Sequence, residues 1–426
     1  MPGVFFGSTE LTTVGDIKVG STDVQEVYVG STKIFPPSGG LPISYFYDPL
    51  NDGALPGSSI FTRATVAEEF DGVDFAEVAI GVPREDSVQF VGGAKGYLGE
   101  PADTNNCTES TDFTAVWVPT GIASRVDQGV TNGLNSYLLT ADTSTGAHRL
   151  QFNSFVSEAG ANYFIGKQGS LRYMIMIAGG DGNNDYACFD LQTGVVSQQG
   201  AGLDDAYVVD VGGGRFKCVV VTDPADDNAQ RFLVMSDTAT PGTGNYTFTG
   251  ASETVELFHA QYTAGNPFCM SPVFTAGSPI TRVADVLDSG VVISAAFGAL
   301  FDFTAPAIMG AGNTISLLGA NTSVVDVLRL DDAFNVIMDD GGTPTTIGTV
   351  AANQRFKVSY GRDGTGRSAS LDGATAVTGD APASGHEGED FELYSTAGAN
   401  QARGIGHTAT LYSARPSDAE LEGLST

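Results

Sequence analysis

AYVVDVGGGRFKCVVV, residues 206–221, decides the fold class. Two runs of β-branched and aromatic residues flank three consecutive glycines, and each run is shorter than an ordinary helix. Glycine reaches positive φ without a Cβ clash, so Gly212, Gly213 and Gly214 predict the turn of a β-hairpin. A phosphate-cradling loop is excluded, because no Lys-Ser/Thr pair follows the glycines and no helix pattern opens after them. RFKCVVVT at 215–222 and LRYMIMIA at 171–178 are apolar at nearly every position. Such runs suit strands covered on both faces, in the middle of a sandwich.

The rest of the chain has the same character. Glycine occurs 55 times in 426 residues, and the apolar runs are short, with Gly, Asp, Asn, Pro and Thr clusters between them. The fold class read from this is all-β, an N-terminal β-hairpin arm followed by two β-sandwich (jelly-roll-like) domains. Fifty acidic against twenty basic residues give a net charge of −30. That balance disfavours nucleic acid and anionic membrane surfaces as partners, since both repel a polyanion. No run approaches the roughly 20 apolar residues of a membrane helix, so no membrane insertion is expected. No secretory signal is visible at the N-terminus. Cys107, Cys188, Cys218 and Cys269 form no Cys-x-x-Cys pair, which argues against zinc and for buried free thiols.

The first 35 residues repeat Gly-Ser-Thr at Gly7, Gly20 and Gly30, each time between short apolar or β-branched runs. Strand, tight turn and strand is the expected local structure. FPPSGGLP at 35–42 closes this arm, and GSPITRVADVLDSG at 277–290 suggests a second boundary. The domains read from these signals are an arm over 1–38, a central module over 39–286 and a C-terminal module over 287–426. An arm this short cannot bury a core of its own, so it should pair with something, by strand addition to another subunit or on the chain's own body.

Three stretches carry a resemblance to bacteriophage structural proteins. IKVGSTDVQEVYVGSTKIF resembles N-terminal segments of phage tail and fibre proteins, where the module lies at the end attached to the particle. FTRATVAEEFDGVDFAEVAIGVPRED followed by GGAKGYLGEPADTNNCTESTDF resembles the opening of head-spike and fibre modules, through Arg63, Thr65, Pro83, Arg84, Gly96, Leu98, Glu100, Pro101, Ala102, Thr104 and Asn105. Later runs, to residue 286, look like the remaining strands of a sandwich similar to carbohydrate-binding jelly rolls. The chain departs from that pattern at CMSPVFT and GGRFKC, where the family often carries aromatics. The C-terminal stretch resembles laminin-G and concanavalin-like sandwiches, through the Leu371-Asp372-Gly373 hairpin and the tail from Leu411 to Glu420. Ser417 followed by Glu420 is a capping box, so a short helix is predicted there, packing Leu421 and Leu424 on the sandwich.

The resemblance implies a non-enzymatic virion protein, a head or tail fibre or spike on the particle exterior, attached to other virion proteins by its arm and binding host-surface glycans. It also implies a homo-oligomer, as fibres of this type are frequently trimers. A tail-spike depolymerase and a secreted adhesin are the alternatives. The former commonly forms a long β-helix, and no coil-length repeat is present. The latter should carry a signal peptide or wall anchor.

Catalytic chemistry has no sequence signature here. His148, His259, His386 and His407 stand far apart, without a Gly-x-Ser-x-Gly elbow or a His-Glu-x-x-His helix, and read as structural. No cofactor is called for, with calcium left open. GGDGNNDY places Asp181, Asn183 and Asp185 at alternating positions, but Tyr186 and Gln192 stand where an EF-hand needs glycine and glutamate. A looser calcium loop at these three residues, or around Asp339 and Asp340, remains the metal expectation. Sugar recognition calls for aromatic stacking platforms beside polar loops. Trp117, Tyr163, Tyr262 and Tyr394 are the candidates, although Trp117 reads first as a core residue.

Overall fold

The computed structural model describes residues 96–426 apart from 132, 154–159, 179–183, 223–229, 243–245, 264–270, 307–308, 310–312, 323–325, 342, 382–386 and 397–403. N-terminal to 96 it describes 5–6, 9–10, 18–19, 22–23, 27–29, 32–35, 43–47, 60–63, 67–70, 75–78, 80 and 85–86. Cys269, His386, Asp181 and Asn183 lie outside the described residues. Among the described residues the fold is all-β, with one short helix near the C-terminus.

Each Gly-Ser-Thr repeat lies in a two-stranded antiparallel sheet. Phe6 pairs with Thr9, Val19 with Thr22 and Val29 with Thr32, so the two residues between the paired positions are Gly-Ser in all three. Glycine at the first position of a two-residue connection is the signature of a tight hairpin turn, and the threonine starts the returning strand. The repetition is therefore one turn solution used three times.

The chain divides into two compact units. One comprises 63–95 and 102–284; the other comprises 1–62, 96–101 and 285–426. The first is a sandwich of two six-stranded antiparallel sheets. One sheet runs Val118–Thr120, Arg149–Asn153, Gln230–Ser236, Tyr173–Ile177, Tyr186–Asp190, Val195–Gln199. The other runs Ile122–Thr131, Leu134–Ala141, Thr254–Tyr262, Gly160–Gln168, Arg215–Thr222, Asp205–Asp210. The predicted glycine hairpin is present: Asp210 pairs with Phe216, and Gly212, Gly213 and Gly214 all have positive φ. The strand after it is covered on both faces. Phe216, Cys218 and Val220 enter the core between the sheets, while Val219 and Val221 join a second buried cluster on the outer face. Tyr173–Ile177 repeats the arrangement, with Met174 and Met176 inward and Ile175 and Ile177 outward. Cys107, Cys188 and Cys218 are free and buried, and burial pushes the Cys107 thiol up to about 12.

The second unit is also a two-sheet sandwich, with Leu317, Leu328, Val336 and Leu393 from one sheet meeting Phe301, Phe356, Val358 and Leu411 from the other. Its membership differs from the sequence boundaries. Ile43–Tyr47 adds to Ile405–Tyr412, with Tyr45 opposite Leu411, and Ile60–Thr62 adds to Val286–Val292. Tyr97 pairs with Gly406, and Tyr47, Phe61 and Tyr97 bury their rings in this core. Residues 43–47, 60–62 and 96–101, expected in the central module, thus complete the C-terminal one. Strand pairing across more than 200 residues leaves no periodicity signal in either partner.

The motif that carries the spike resemblance marks the place where the chain leaves one unit for the other. Glu100 donates its backbone N–H to Asp285 Oδ2 at 3.1 Å, and Asp285 returns its own to Glu100 O at 2.9 Å. In the sandwich beyond, Asp103–Asn105 pairs with Ile280–Arg282. Buried Asn105 donates to Val273 O and accepts from the N–H groups of Cys107 and Tyr262, which satisfies its amide. This part of the motif is a buried structural staple.

The helix Asp418–Leu424 has the predicted capping box, with Ser417 Oγ accepting from Glu420 N and the Glu420 carboxylate accepting from Ser417 N. Leu421 is buried and Leu424 is half-buried against the sandwich.

Candidate functional site

The four aromatic candidates are interior residues, which corrects their reading as sugar platforms. Trp117 is buried between Phe113 and Phe152, at ring-centroid distances of 5.4 and 5.3 Å, and its indole N–H donates to Glu109 O. Tyr394 is buried at the centre of the second sandwich, among Tyr97, Phe301 and Phe303. Gly406 is glycine for that reason, as a Cβ there would lie 2.4 Å from the Tyr394 ring.

Tyr163 and Tyr262 do stack, but on cations of the chain itself. Lys217 Nζ lies 4.6 Å from the Tyr163 ring centroid, and the Arg231 guanidinium lies 4.4 Å from that of Tyr262. Around Tyr163 the outer face of the sheet carries a buried polar network. Tyr163 Oη donates to Gln261 Oε1 at 2.9 Å, and Gln261 Nε2 donates to Asp103 Oδ2 at 3.1 Å. His259 Nε2 lies 3.3 Å from the same Gln261 oxygen. Burial pushes the His259 imidazole down to about 3, with nearby Lys217 acting in the same direction, so the ring is neutral near pH 7. These groups rigidify the sheet. His148 and His407 are buried too, the latter with Nε2 2.8 Å from Thr304 Oγ1.

The metal expectations fare differently at the two loops. Asp185 is buried, with its carboxylate seated where a Cβ on Gly202 would lie 1.7 Å from Oδ1. Its two proposed co-ligands are outside the described residues. Asp339 and Asp340 are already paired with cations. Arg362 Nη1 donates to Asp340 at 2.8 and 2.9 Å, Tyr360 Oη donates to it at 2.6 Å, and Arg329 Nε donates to Asp339 at 3.1 Å. A guanidinium occupies the place a calcium ion would need at Asp340, which corrects that reading. Among the described residues no group of three or more His, Cys, Asp or Glu side chains could hold a metal.

What the second sandwich does offer is an open cavity of about 340 Å³ on its Phe297–Thr304/Arg355–Asp363 face, lined by Asp302, Arg355, Phe356, Lys357, Asp372, Ser425 and Thr426. Strand register builds it, because Asp302 lies opposite Lys357 and Thr304 opposite Arg355. Arg355 makes a two-pronged ion pair with Asp302, at 2.8 Å for each contact. Lys357 donates from Nζ to Thr426 O at 2.6 Å, and its backbone N–H goes to Asp372 Oδ1 at 2.8 Å. Asp372 sits in the Leu371-Asp372-Gly373 hairpin, held at positive φ together with Gly373. Its volume is near the lower end of small-molecule sites, and its alternating donors and acceptors suit a polyhydroxylated ligand. This site has no local signature in the sequence. Arg355 and Lys357 alternate around Phe356 and so share a face, but the acids that meet them come from 53 and 15 residues away.

No family model matches the chain, and no curated protein matches it. Solved structures similar to it include a Trypanosoma rangeli sialidase in complex with sialic acid, at 11% identity over 71% of this chain and 61% of the sialidase, with a TM-score of 0.26. The chain thus spans less than two thirds of that enzyme's length. Mouse laminin α1 chain domains LG4-5 are similar at 14% identity over 63% of this chain and 86% of theirs, with a TM-score of 0.20. Likeness at this level carries neither a ligand nor an activity across.

Proposed function

We propose that the chain is a non-enzymatic structural protein of a bacteriophage particle, a head or tail fibre or spike. Its N-terminal arm attaches it to other virion proteins, and its sandwich modules meet host-surface glycans. The observation that carries this reading is the series of three Gly-Ser hairpins. Each is only two strands wide. Two-stranded hairpins are marginal alone in water, and a neighbour's strand or surface supplies what they lack. The resemblance of the same repeats to fibre attachment segments points to the particle as that neighbour, and to a homo-oligomer, in fibres commonly a trimer.

On this reading the cavity of Asp302, Arg355, Lys357 and Asp372 takes the sugar. Shallow polar sites bind in the range of roughly 0.1–1 mM, so the glycan contact depends on many copies acting together. Gold-labelled antibody against residues 290–426, imaged on purified virus particles, tests the reading. Label at the tail tip or over the capsid supports it, and particles without label overturn it. Release of reducing ends from host polysaccharide by the purified protein would replace it with the depolymerase alternative.

A further inference from the structure

Each sheet of the first sandwich has two end strands. Ile122–Thr131 ends one sheet and Val118–Thr120 ends the other, and among the described residues no strand pairs with the outer edge of either. The ten residues of Ile122–Thr131 are exposed or half-buried throughout, with Val126 and Val130 exposing 48% and 73% of their surface. A long edge strand with exposed apolar side chains and no partner strand is a template for another strand; here Val126 O accepts from the Gln128 side-chain amide at 3.2 Å, a contact that an added strand replaces. Register shifts at Ile122/Ser124 and Asp127/Gly129 leave Ser124–Asp127 as its regular centre.

The sequence of this strand states which partner fits. Laid antiparallel on a second copy about Val126, Ile122 meets Val130, Ala123 meets Gly129, Ser124 meets Gln128 and Arg125 meets Asp127. Apolar faces apolar, small faces small, polar faces polar, and the two charges are opposite, which is what favourable cross-strand pairs require. The charge of −30 makes copies of the chain repel one another, yet this segment, with one arginine and one aspartate, is neutral. Both charges are held in place. Arg125 Nη1 donates to Phe113 O and Trp117 O at 2.6 and 2.8 Å, and Asp127 Oδ1 accepts from Gly129 N at 2.7 Å.

We propose that Ile122–Thr131 pairs with the same strand of a second copy about a two-fold axis at Val126, joining the two sheets into one. The proposal does not rest on the phage reading. A two-fold contact closes on itself, so this edge makes pairs of chains and any three-fold association uses another surface.

Sedimentation of the purified full chain over a wide concentration range tests it. The wild type, 44.1 kDa for one chain, is expected to double its associated mass as concentration rises. Val126→Lys places like charges on the axis and should weaken the association at least tenfold. Val195→Lys, at an exposed valine of a distant edge strand, should leave it unchanged. Val126→Cys should form an air-oxidised, disulfide-linked pair that the wild type does not, because thiols on a two-fold axis between paired strands fall within bonding reach. A wild type that shows no two-fold step, a two-fold association that Val126→Lys leaves intact, or a Val126→Cys chain that does not cross-link would each overturn the proposal.

Discussion

The arm and the two sandwiches differ in the length of their strands and in the width of the sheets that the described residues form. In the arm, strands of two to four residues meet in pairs across Gly-Ser. In the sandwiches, strands of up to ten residues form sheets six or more strands wide, and several are covered on both faces. A turn fixes where the chain reverses, but only burial makes the reversal stable. Under the proposed function the two regions have two jobs, with the body carrying its own stability and the arm drawing on a partner.

Changes in the body should therefore be large and local to it. Asp340→Ala removes the fully buried carboxylate from Arg362, leaving it the partly exposed Glu387 at 3.2 Å, and should cost about 3–5 kcal/mol in urea unfolding of the second sandwich. A loss under about 1 kcal/mol would mean that Glu387 compensates the guanidinium by itself. Leu257→Ala, in the core between the sheets of the first sandwich, should cost about 2–5 kcal/mol by the same measurement.

Acid sharpens the contrast between the units. The folded pKa of His259, about 3, lies below its ordinary value of 6.5, so protons favour the unfolded chain. Its contribution to stability is complete above pH 6.5 and is lost as pH falls toward 3. Denaturation midpoints at pH 7 and pH 4 should separate for the first sandwich, and His259→Gln should reduce that separation. An unchanged separation would remove His259 as a cause.

Ser417→Ala removes the helix cap and should cost about 1 kcal/mol. Smallest for the body is Gly30→Val, in the third hairpin of the arm. It should shift body stability by no more than about 0.5 kcal/mol, as surface changes do, while lowering incorporation into particles. A matching loss of body stability would dissolve the distinction between the two regions.

How much of this was legible depends on whether the signal is local. Gly212–Gly214, the doubly apolar strand after them and the Ser417/Glu420 box are all written within a few residues, and each is found in the structure, as are the strand pairs that flank each Gly-Ser. Tyr45 opposite Leu411 is not legible, because neither residue's neighbours differ from those of any other strand. The aromatic candidates failed for a related reason. Tyr163 and Tyr262 stand beside polar residues in sequence, but those polar residues, Gln261 and Asn162 among them, are themselves buried. Adjacency to polar residues indicates exposure only where those residues reach water, and here they serve an interior network. The cavity at Arg355 and Lys357 was half visible, in the alternation of its cations and not in the acids that answer them.

Incorporation of a chain lacking residues 1–38 into particles, beside the full chain, decides whether the arm is the attachment segment. The truncated protein should keep the unfolding midpoint of the full chain and be absent from purified particles. Incorporation at the level of the full chain would contradict this, and the three hairpins would then need another role.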